Sequence, residues 1–553
     1  MKKEIAEILM SALKKDGVEL RKEDIESKIE IPPSMQMGDY AFPCFFLAEK
    51  IKQAPTKIAL KIKENISSKE FNVQVSGAYV NFFIDKKVFA EKIIKDILKK
   101  KKNFGRKNIG KGKKFIIEHT SINPNASPHV GRARNAIIGD SLVKIFSFLE
   151  FKSETHYYVN DISKQIAMLF LVDADKLKFK DMLKKYIEVS KKIATSKSLE
   201  KKVFEILGKF EQGDKVITKK INKIVKTCVD GQKKILLKLG IKYDFFDYES
   251  SYLTNSKKIL EELKKTRKLF KDKDGRFYLD QQGTSVENKM KSPVFVLTRS
   301  DGTGLYPLRD IAYTIYKMKS SKNNLIVLGE DQKLYFQQLK EALKIIGFDS
   351  PVVVHYSFIL LMEKGKAKRM STRKGDVVLL EDFLDMAVKK AKKEIEKRNT
   401  KGDPEKIGVG AVKYAILKNN NNKLIHFNLD DALNFEGDTG PYIQYSYARA
   451  SSILRKAKAK GNLEIHELET KEFELIKKLS EFPEIVLSAY KNLNPSLIAN
   501  YAYSLSQIFN EFYHLCPVIG SKQESFRISL IKSFTFVLKN ALGLLGIETM
   551  EEM

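Results

Sequence analysis

Cysteine is scarce in this sequence, which contains only Cys44, Cys228 and Cys516 in 553 residues. The three positions lie far apart, and none belongs to a closely spaced pair. Neither a disulfide framework nor a zinc site of the CxxC type is therefore indicated. We expect buried free thiols in a reducing cytoplasm, and no metal site built by protein side chains.

Long apolar runs are also absent. One of the longest, residues 167–172, is far shorter than the ~20 apolar residues that a membrane-spanning helix needs. Residues 1–15 place apolar side chains on one face of a charged helix and lack the apolar region and cleavage site of a secretion signal. We expect a soluble, cytoplasmic protein whose first helix belongs to a folded domain.

Acidic residues are too few to balance the basic ones. The 69 Asp and Glu stand against 100 Lys and Arg, which gives a formal net charge of +31. Such an excess is typical of proteins that bind a polyanion and favours a nucleic-acid partner. An alternative remains open, because the excess is mostly lysine and tryptophan is missing, which is also what a biased genomic composition would produce.

The length predicts about three or four domains at ~150 residues each. Residues 1–110 combine an amphipathic helix, a Pro- and Gly-containing loop, paired strands and a lysine-rich linker, which indicates a small α/β module. In residues 111–400, β-rich apolar runs alternate with helical patterns, which predicts a doubly wound parallel-sheet, Rossmann-like domain. A charge-rich helical insertion interrupts it at about 164–242. Residues 401–553 are predicted to be all-helical.

Two segments carry residues suited to ATP chemistry. Residues 117–135 run from an apolar strand through an Asn- and Pro-rich loop into a helix. There, His129 could donate to a phosphate, Gly131 lets adenine approach the backbone, and the start of the helix favours an anion. Residues 369–375 form a second, basic loop ending in glycine. Either segment alone has an ordinary alternative, a structural histidine or a solvated basic turn.

Together the two segments resemble the ATP-binding motifs of class I aminoacyl-tRNA synthetases, whose usual forms read HIGH and KMSKS. The surrounding sequence narrows the resemblance to the arginyl-tRNA synthetase family, which it resembles almost throughout. The matching blocks follow the family's order and lie at residues 118–125, 158–161, 243–251, 305–313 and 329–332.

This resemblance implies a ligase. A member of the family activates L-arginine with ATP and Mg²⁺ to arginyl-adenylate and transfers arginine to the 3′ end of its tRNA, releasing pyrophosphate and AMP. The partners implied are ATP, L-arginine and tRNA for arginine, with no membrane partner, and we expect a monomer.

The resemblance also implies which residues form the site. A guanidinium offers five donors in a fixed fork and is best held by carboxylates, for which Glu118 and Asp310 are the natural choice. The arginine site implied comprises Glu118, Ser121, Asn123, Tyr306, Asp310 and Gln332. The ATP contacts implied are His129, Gly131, Met370 and Ser371, and the catalytic residues are His129, Arg132, Arg369, Arg373 and Lys374.

Two further blocks resemble the tRNA-binding parts of the family. Tyr79 and Asn81 lie where its N-terminal domain meets the tRNA elbow. Tyr442, Tyr445 and Arg449 lie where its anticodon-binding domain begins, and aromatic rings with arginine are suited to stacking on splayed bases. The alternative is that these tyrosines are core residues and that Arg449 is solvated.

Three positions depart from the family pattern. Arg132 stands where the second histidine of the first motif is usual, Thr372 where other class I enzymes carry lysine, and Ala126 where many arginyl enzymes place a compensating lysine. Two hypotheses therefore remain: an arginine–tRNA ligase, or a catalytically silent paralogue that binds tRNA. The complete set of arginine-site residues favours the ligase, because a silent paralogue has no need of a guanidinium site.

Overall fold

The computed structural model describes residues 1–363, 366–368 and 378–553. They divide into two compact units. The first comprises Met1–Lys101, Lys456–Ser480 and Glu511–Ser533, and the second comprises Lys102–Arg455, Glu481–Asn510 and Phe534–Met553. No helix among the described residues is both long and apolar enough to cross a membrane.

The N-terminal module is a small α/β fold, as predicted. Its strands form an antiparallel sheet in the order β1-β3-β2, and the β2–β3 hairpin turns at Gly77, whose φ of 58° suits a residue without Cβ. Apolar faces of α1 and α4 are buried, including Ile5, Leu9 and Ile58. Its elements are α1 Lys2–Lys15, α2 Lys22–Lys28, β1 Tyr40–Pro43, α3 Ala48–Ile51, α4 Pro55–Asn65, β2 Phe71–Ser76, β3 Tyr79–Ile84 and α5 Lys86–Lys100.

The next part of the chain, in the second unit, alternates strands and helices. Its elements are β4 Lys114–Glu118, α6 Val130–Phe148, β5 Lys152–Val159, α7 Lys164–Phe170, α8 Phe179–Ala194, α9 Lys197–Glu211, α10 Lys215–Lys238, β6 Phe245–Tyr248, α11 Leu253–Lys264, β7 Leu269–Lys271, β8 Phe277–Asp280, β9 Val294–Val296, α12 Tyr306–Ser320, β10 Asn324–Gly329, α13 Lys333–Ile345 and β11 Val352–Tyr356.

These elements confirm the doubly wound fold class. Five of the strands form a parallel sheet in the order β11-β10-β4-β5-β6. Helices α7 to α10 lie between β5 and β6 in the chain and form the helical insertion. A separate antiparallel sheet, β7-β8-β9, was not predicted, because its strands are only three or four residues long. In such folds the side chains that bind ligands gather at the carboxyl ends of the parallel strands.

The remainder of the chain is almost entirely helical, as predicted. Its described part contains one further sheet, in the order β13-β12-β14, and β14 is a three-residue strand within the residues that were expected to be all-helical. The elements are β12 Ile359–Glu363, β13 Lys366–Lys368, α14 Leu380–Arg398, α15 Pro404–Leu417, β14 Ile425–Phe427, α16 Leu429–Ala432, α17 Gly440–Lys456, α18 Thr470–Lys491, α19 Ser496–Leu515 and α20 Glu524–Leu544.

A buried core fixes α12 in the second unit. Leu263 of α11, Ile311 of α12 and Leu343 of α13 are all fully buried in one hydrophobic cluster. Because α12 precedes β10 and a crossover helix runs opposite to the strand it leads into, its first turn lies at the carboxyl edge of the sheet. The packing therefore places Asp310, the fifth residue of α12, near the edge at which Glu118 ends β4.

Candidate active site

The loop that leaves β4 turns back sharply just after Glu118. Thr120 and Ser121 have φ of 81° and 41°, a left-handed conformation that is uncommon for residues other than glycine. The bend is held by Asn135 of α6, whose Oδ1 accepts a hydrogen bond from the Thr120 N–H at 2.5 Å, and by the Tyr243 hydroxyl, 2.6 Å from Oγ1 of Thr120. These contacts leave the Ser121 hydroxyl 3.5 Å from Oε1 of Glu118.

The next part of the loop is held by the helical insertion. Gln232 of α10 donates from its Nε2 to the carbonyl oxygens of Asn123 and Ala126, each at 2.9 Å. The side-chain amide of Asn123 donates to Oε1 of Gln165 on α7 at 3.0 Å. The insertion therefore shapes the loop in which Ser121 and Asn123, predicted from the sequence to bind arginine, lie.

His129 closes the loop, and α6 begins at the next residue. Its Nδ1 is buried and has no hydrogen-bond partner among the described residues. Burial lowers the pKa of His129 to about 4, and the nearby charge of Arg132 adds to the effect. The imidazole is therefore neutral at pH 7 and has one N–H that can donate to a phosphate oxygen.

His129 faces a cavity of about 170 Å³. The cavity joins the first turn of α6 to apolar and aromatic side chains that follow β11. Such a combination of a helix N-terminus with an apolar wall suits a nucleotide, whose phosphates favour the helix end and whose base favours the wall. Its lining residues are His129, Gly131, Arg132, Asp331, Tyr356, Phe358, Ile359 and Leu360.

Arg134 supports this cavity, although its sequence context did not mark it as a functional residue. The side chain is fully buried, and its guanidinium donates to five backbone carbonyl oxygens at 2.7 to 3.3 Å. Burial lowers its pKa to about 10, which leaves it charged at neutral pH. An arginine within the apolar run of α6 was the available sequence signal. The carbonyls belong to Ser357, Phe358, Asn420, Asn421 and Lys423.

Asp310 is the fifth residue of α12 and faces aromatic side chains. Tyr335 of α13 donates a hydrogen bond from its hydroxyl to the Asp310 carboxylate, and the half-exposed Tyr306 ring lies 5.2 Å from the Tyr335 ring. Burial raises the pKa of Asp310 to about 6; the charge of Glu118 adds to the shift and the Tyr335 hydrogen bond opposes it. Among the described residues, no lysine or arginine forms an ion pair with Asp310.

Glu118 has a different environment. Its carboxylate is buried at the end of β4 and accepts a hydrogen bond from the ammonium group of Lys317 on α12 through Oε2. The other oxygen, Oε1, has the long contact with Ser121. The two acids chosen from the sequence thus differ, because Glu118 already has a cationic partner in the protein.

A second buried ion pair lies next to Asp310 in the chain. Nε of Arg309 donates to Oε1 of Glu249 at 2.5 Å, and the Asn160 side-chain amide group lies 2.9 Å from Oε2 of the same carboxylate. Asp161 accepts hydrogen bonds from the N–H and hydroxyl of Ser250 at 2.9 and 2.6 Å. Three of the sequence blocks that resemble the family are therefore in contact, namely residues 158–161, 243–251 and 305–313.

Gln332 is exposed at the residue before α13. It lies one helical turn ahead of Tyr335, the residue that donates to Asp310.

The N-terminal candidates for tRNA contact differ in exposure. The Tyr79 ring is partly exposed and packs edge-on against Phe45 at 5.5 Å. Asn81 lies inside β3 and is only 6% exposed, between Ala41 of β1 and Gln74 of β2. Tyr79 is thus the more accessible of the two.

The anticodon candidates share one face of α17. Asn510 of α19 joins two of them, because its amide donates to the Tyr442 hydroxyl at 2.9 Å while its carbonyl oxygen accepts from Arg449 at 2.7 Å. The Arg449 guanidinium also lies over the Tyr445 ring, 4.9 Å from its centroid. All three candidates are partly exposed, so the face combines aromatic rings with a held cation.

The second ATP motif cannot be placed beside these residues. Arg369, Met370, Ser371, Thr372, Arg373 and Lys374 lie outside the described residues. The described residues that follow this motif do contact the first motif. The N–H of Val130 donates to the carbonyl oxygen of Val378 at 3.1 Å, and the N–H of Leu380 donates to the carbonyl oxygen of Pro128 at 2.8 Å.

Comparison with known protein families covers nearly the whole chain. The family described as "tRNA synthetases class I (R), catalytic domain" matches residues 93–429. The "Arginyl tRNA synthetase N terminal domain" matches residues 1–84, and the "DALR anticodon binding domain" matches residues 443–553.

Individual relatives are similar to this chain over almost their whole length. The arginine–tRNA ligase of Methanocaldococcus jannaschii is 37% identical, with 95% of each chain covered, and that of Clostridium kluyveri is 34% identical, with 98% of each covered. Among solved structures, arginyl-tRNA synthetase of Thermus thermophilus has the same fold, with a TM-score of 0.78 at 24% identity over 100% of both chains. That of Plasmodium falciparum gives a TM-score of 0.77 at 22% identity, covering 100% of this chain and 99% of the other.

Proposed function

The chain belongs to the arginyl-tRNA synthetase family, and from that premise we propose the part that each residue of the site takes in the reaction. The protein is an arginine–tRNA ligase. It joins the carboxylate of arginine to the α-phosphate of ATP with release of pyrophosphate, and then passes arginine to the 3′ end of its tRNA with release of AMP.

The observation that supports the substrate most strongly is the charge balance around Asp310. Glu118 is paired with Lys317 and Glu249 with Arg309, whereas Asp310 has only hydroxyl donors among the described residues. A partly desolvated carboxylate without a cation is unfavourable until a ligand supplies one. The guanidinium of arginine carries one positive charge and several N–H donors, so we assign it to Asp310.

The remaining arginine-site residues surround this carboxylate. Tyr306 and Gln332 stand at the exposed rim, where they would cover the side chain of the bound amino acid. Ser121 and Asn123 lie on the bent loop after β4, where they would hold the amino and carboxyl groups. Glu118 offers Oε1 to the same ligand, because Lys317 occupies its other oxygen.

ATP would occupy the cavity at the start of α6. There, neutral His129 would donate to a phosphate oxygen, Gly131 would let adenine lie against the backbone, and Arg132 would supply charge in place of the usual histidine. We propose that Met370 and Ser371 also contact ATP and that the cations Arg369, Arg373 and Lys374 stabilise the departing pyrophosphate.

Magnesium is proposed to arrive with the nucleotide. In the described part of the chain, no three His, Cys, Asp or Glu side chains are grouped to hold a metal ion. Mg²⁺ is commonly bound through substrate phosphates and water with few protein ligands, which fits this arrangement.

Transfer requires the tRNA to be held at more than one place. We propose that residues 1–110 bind its elbow through Tyr79 and Asn81, that residues 111–400 hold the 3′ end, and that residues 401–553 bind the anticodon. In the last module Tyr442, Tyr445 and Arg449 would contact the bases. We further propose a cytoplasmic monomer in which one chain carries all three family domains.

A charging assay tests the function. Purified protein with ATP, Mg²⁺ and tRNA for arginine should attach arginine to the tRNA, and should reject citrulline, which has the same shape but no charge for Asp310 to pair with. Binding of tRNA without any attached arginine would instead support the silent paralogue and contradict the ligase. Attachment of citrulline at a rate like that of arginine would contradict the role of Asp310.

A further inference from the structure

Lys317 is a buried lysine beside Glu118 in the proposed arginine site, and it lies outside the sequence blocks described above. Its side chain is 3% exposed and that of Glu118, to which it donates, is 4% exposed. The ammonium group also lies over the face of the Tyr313 ring, 4.2 Å from the centroid. Burying a lysine costs free energy, which its carboxylate partner and the aromatic face offset.

Its position along α12 links it to the substrate acid. Asp310, Tyr313 and Lys317 are spaced by three and four residues and therefore lie on one face of the helix. Glu118, at the end of β4, is the register neighbour of His156 on β5. The titratable groups around the pair are Asp310 and Tyr313 of α12, Tyr252 of the turn after β6, His156 of β5 and Asp247 of β6.

The neighbours of the pair already have partners. His156 Nδ1 and Asp247 are 2.6 Å apart, and the Tyr313 hydroxyl donates to the same Asp247 oxygen at 2.9 Å. Lys317 is therefore the one cation that the described residues direct at Glu118. Because the charges of Lys317 and Glu118 cancel, Asp310 is the acid whose negative charge the ligand balances.

We propose that Lys317 is a positioning residue for arginine: it holds Glu118 in place and neutralises it, so that the site presents one net negative charge to the guanidinium. The proposal rests on the proposed function. Without Lys317, Glu118 would be a buried carboxylate without a partner, which would move, take up a proton or compete with Asp310. Each of these changes the recognition of arginine without touching ATP.

Kinetics of charging in the full-length protein test this role. Lys317→Met keeps the length of the side chain and removes its charge, and should raise the KM for arginine about tenfold or more while the KM for ATP stays near the wild-type value. Lys317→Arg should keep the arginine KM within about threefold of the wild type, because its guanidinium can still pair with the carboxylate. An arginine KM unchanged in Lys317→Met overturns the proposal.

A double-mutant cycle guards against a variant that fails to fold. Glu118→Gln combined with Lys317→Met removes both charges of the buried pair, so the double variant should fold, and the lysine change should then add little to the arginine KM of Glu118→Gln alone. If Lys317→Met raised the KM equally in both backgrounds, Lys317 would act independently of Glu118 and the proposal would be wrong.

Lys413 provides a matched control. It is also buried, at 1% exposure, and its Nζ donates to the carbonyl of Gly546 at 2.8 Å and lies 3.6 Å from Oδ2 of Asp140, far from Glu118 in the chain. Lys413→Met should lower the thermal stability without a selective rise in the arginine KM; such a rise would make the effect a general result of losing a buried lysine and overturn the proposal. A wild-type protein that attached no arginine would contradict the proposed function itself, whereas normal wild-type charging with an unchanged KM in Lys317→Met contradicts only the role of Lys317.

Discussion

The hydroxyl of Tyr335 donates a hydrogen bond to the carboxylate of Asp310, which ties the first turn of α13 to the N-terminal part of α12. The bond holds the acid in one orientation and favours its charged form. The same hydrogen bond keeps the carboxylate in place, although no lysine or arginine among the described residues forms an ion pair with it. The first three predictions follow from this contact.

Asp310→Asn should raise the KM for arginine. The amide keeps the shape of the carboxylate but cannot pair with a guanidinium, and loss of one partner of a desolvated charge pair costs about 2–5 kcal/mol, or roughly 30-fold or more in affinity. The charging assay with varied arginine measures it. Asp274→Asn, at an exposed acid that is paired with Arg276, serves as the control and should leave the KM unchanged; equal values for Asp310→Asn and the wild type would remove Asp310 from the site.

Arginine binding should weaken in acid. The pKa of Asp310 is raised to about 6, so the carboxylate is charged above that pH and protonated below it. The KM for arginine should therefore be constant above about pH 6 and rise as the pH falls further, by at most about tenfold per pH unit for a single titrating group.

Tyr335→Phe should move the same pH profile. Removal of the hydrogen bond that favours the carboxylate raises the pKa of Asp310 further, so the arginine KM should begin to rise at a higher pH than in the wild type. Tyr316→Phe is the matched control, because Tyr316 is 48% exposed and lies on α12, the helix that carries Asp310. A profile that is identical in Tyr335→Phe and the wild type would show that the hydrogen bond does not control the titration.

His129→Ala should impair adenylate formation. A neutral donor aimed at a phosphate in a partly dry site contributes about 10²–10³-fold in rate, by analogy with the loss of one oxyanion-hole donor. ATP–pyrophosphate exchange measured with tRNA present gives this rate. His466→Ala, at a histidine with a 66% exposed side chain, should have no effect, and undiminished exchange in His129→Ala would refute the assignment of ATP to this cavity.

Gly139→Ala should destabilise the protein, whereas Gly208→Ala should stabilise it. Both glycines lie inside helices, but a Cβ on Gly139 would stand 2.2 Å from the ring of His119, and one on Gly208 would meet nothing within 4 Å. Overpacking costs about 1–3 kcal/mol, and alanine at an open helical site gains about 0.5–1 kcal/mol. The midpoints of thermal unfolding should therefore move in opposite directions; shifts of the same sign would contradict the packing seen around His119.

Some of the site was accessible from the sequence because it depends on neighbours in the chain. The strand, loop and helix of residues 117–135 were read from local periodicity, and His129 and Gly131 indeed line one cavity. The face formed by Tyr442, Tyr445 and Arg449 likewise follows from helical spacing. The roles in ligand binding that were assigned to these residues remain predictions.

Other features were hidden because their partners are distant in sequence. Lys317 and Glu118 are 199 positions apart, and Arg134 donates to carbonyls more than 220 positions away. Periodicity identifies the face on which a residue lies but not the group opposite it, so a buried charge and its counter-charge are seen only when the sheet has brought them together. The three-stranded sheet β7-β8-β9 was missed because its strands are too short to show an alternating pattern.

The sequence by itself determined the fold class, the ATP loop and the family, because apolar periodicity and ordered local blocks are properties of the chain. Only the tertiary structure decided which acid awaits the substrate. The sequence presents Glu118 and Asp310 as two similar carboxylates, but packing places Lys317 beside Glu118 and Tyr335 beside Asp310. Burial makes that difference matter, because an unpaired charge is tolerated in water and costs free energy where water is excluded.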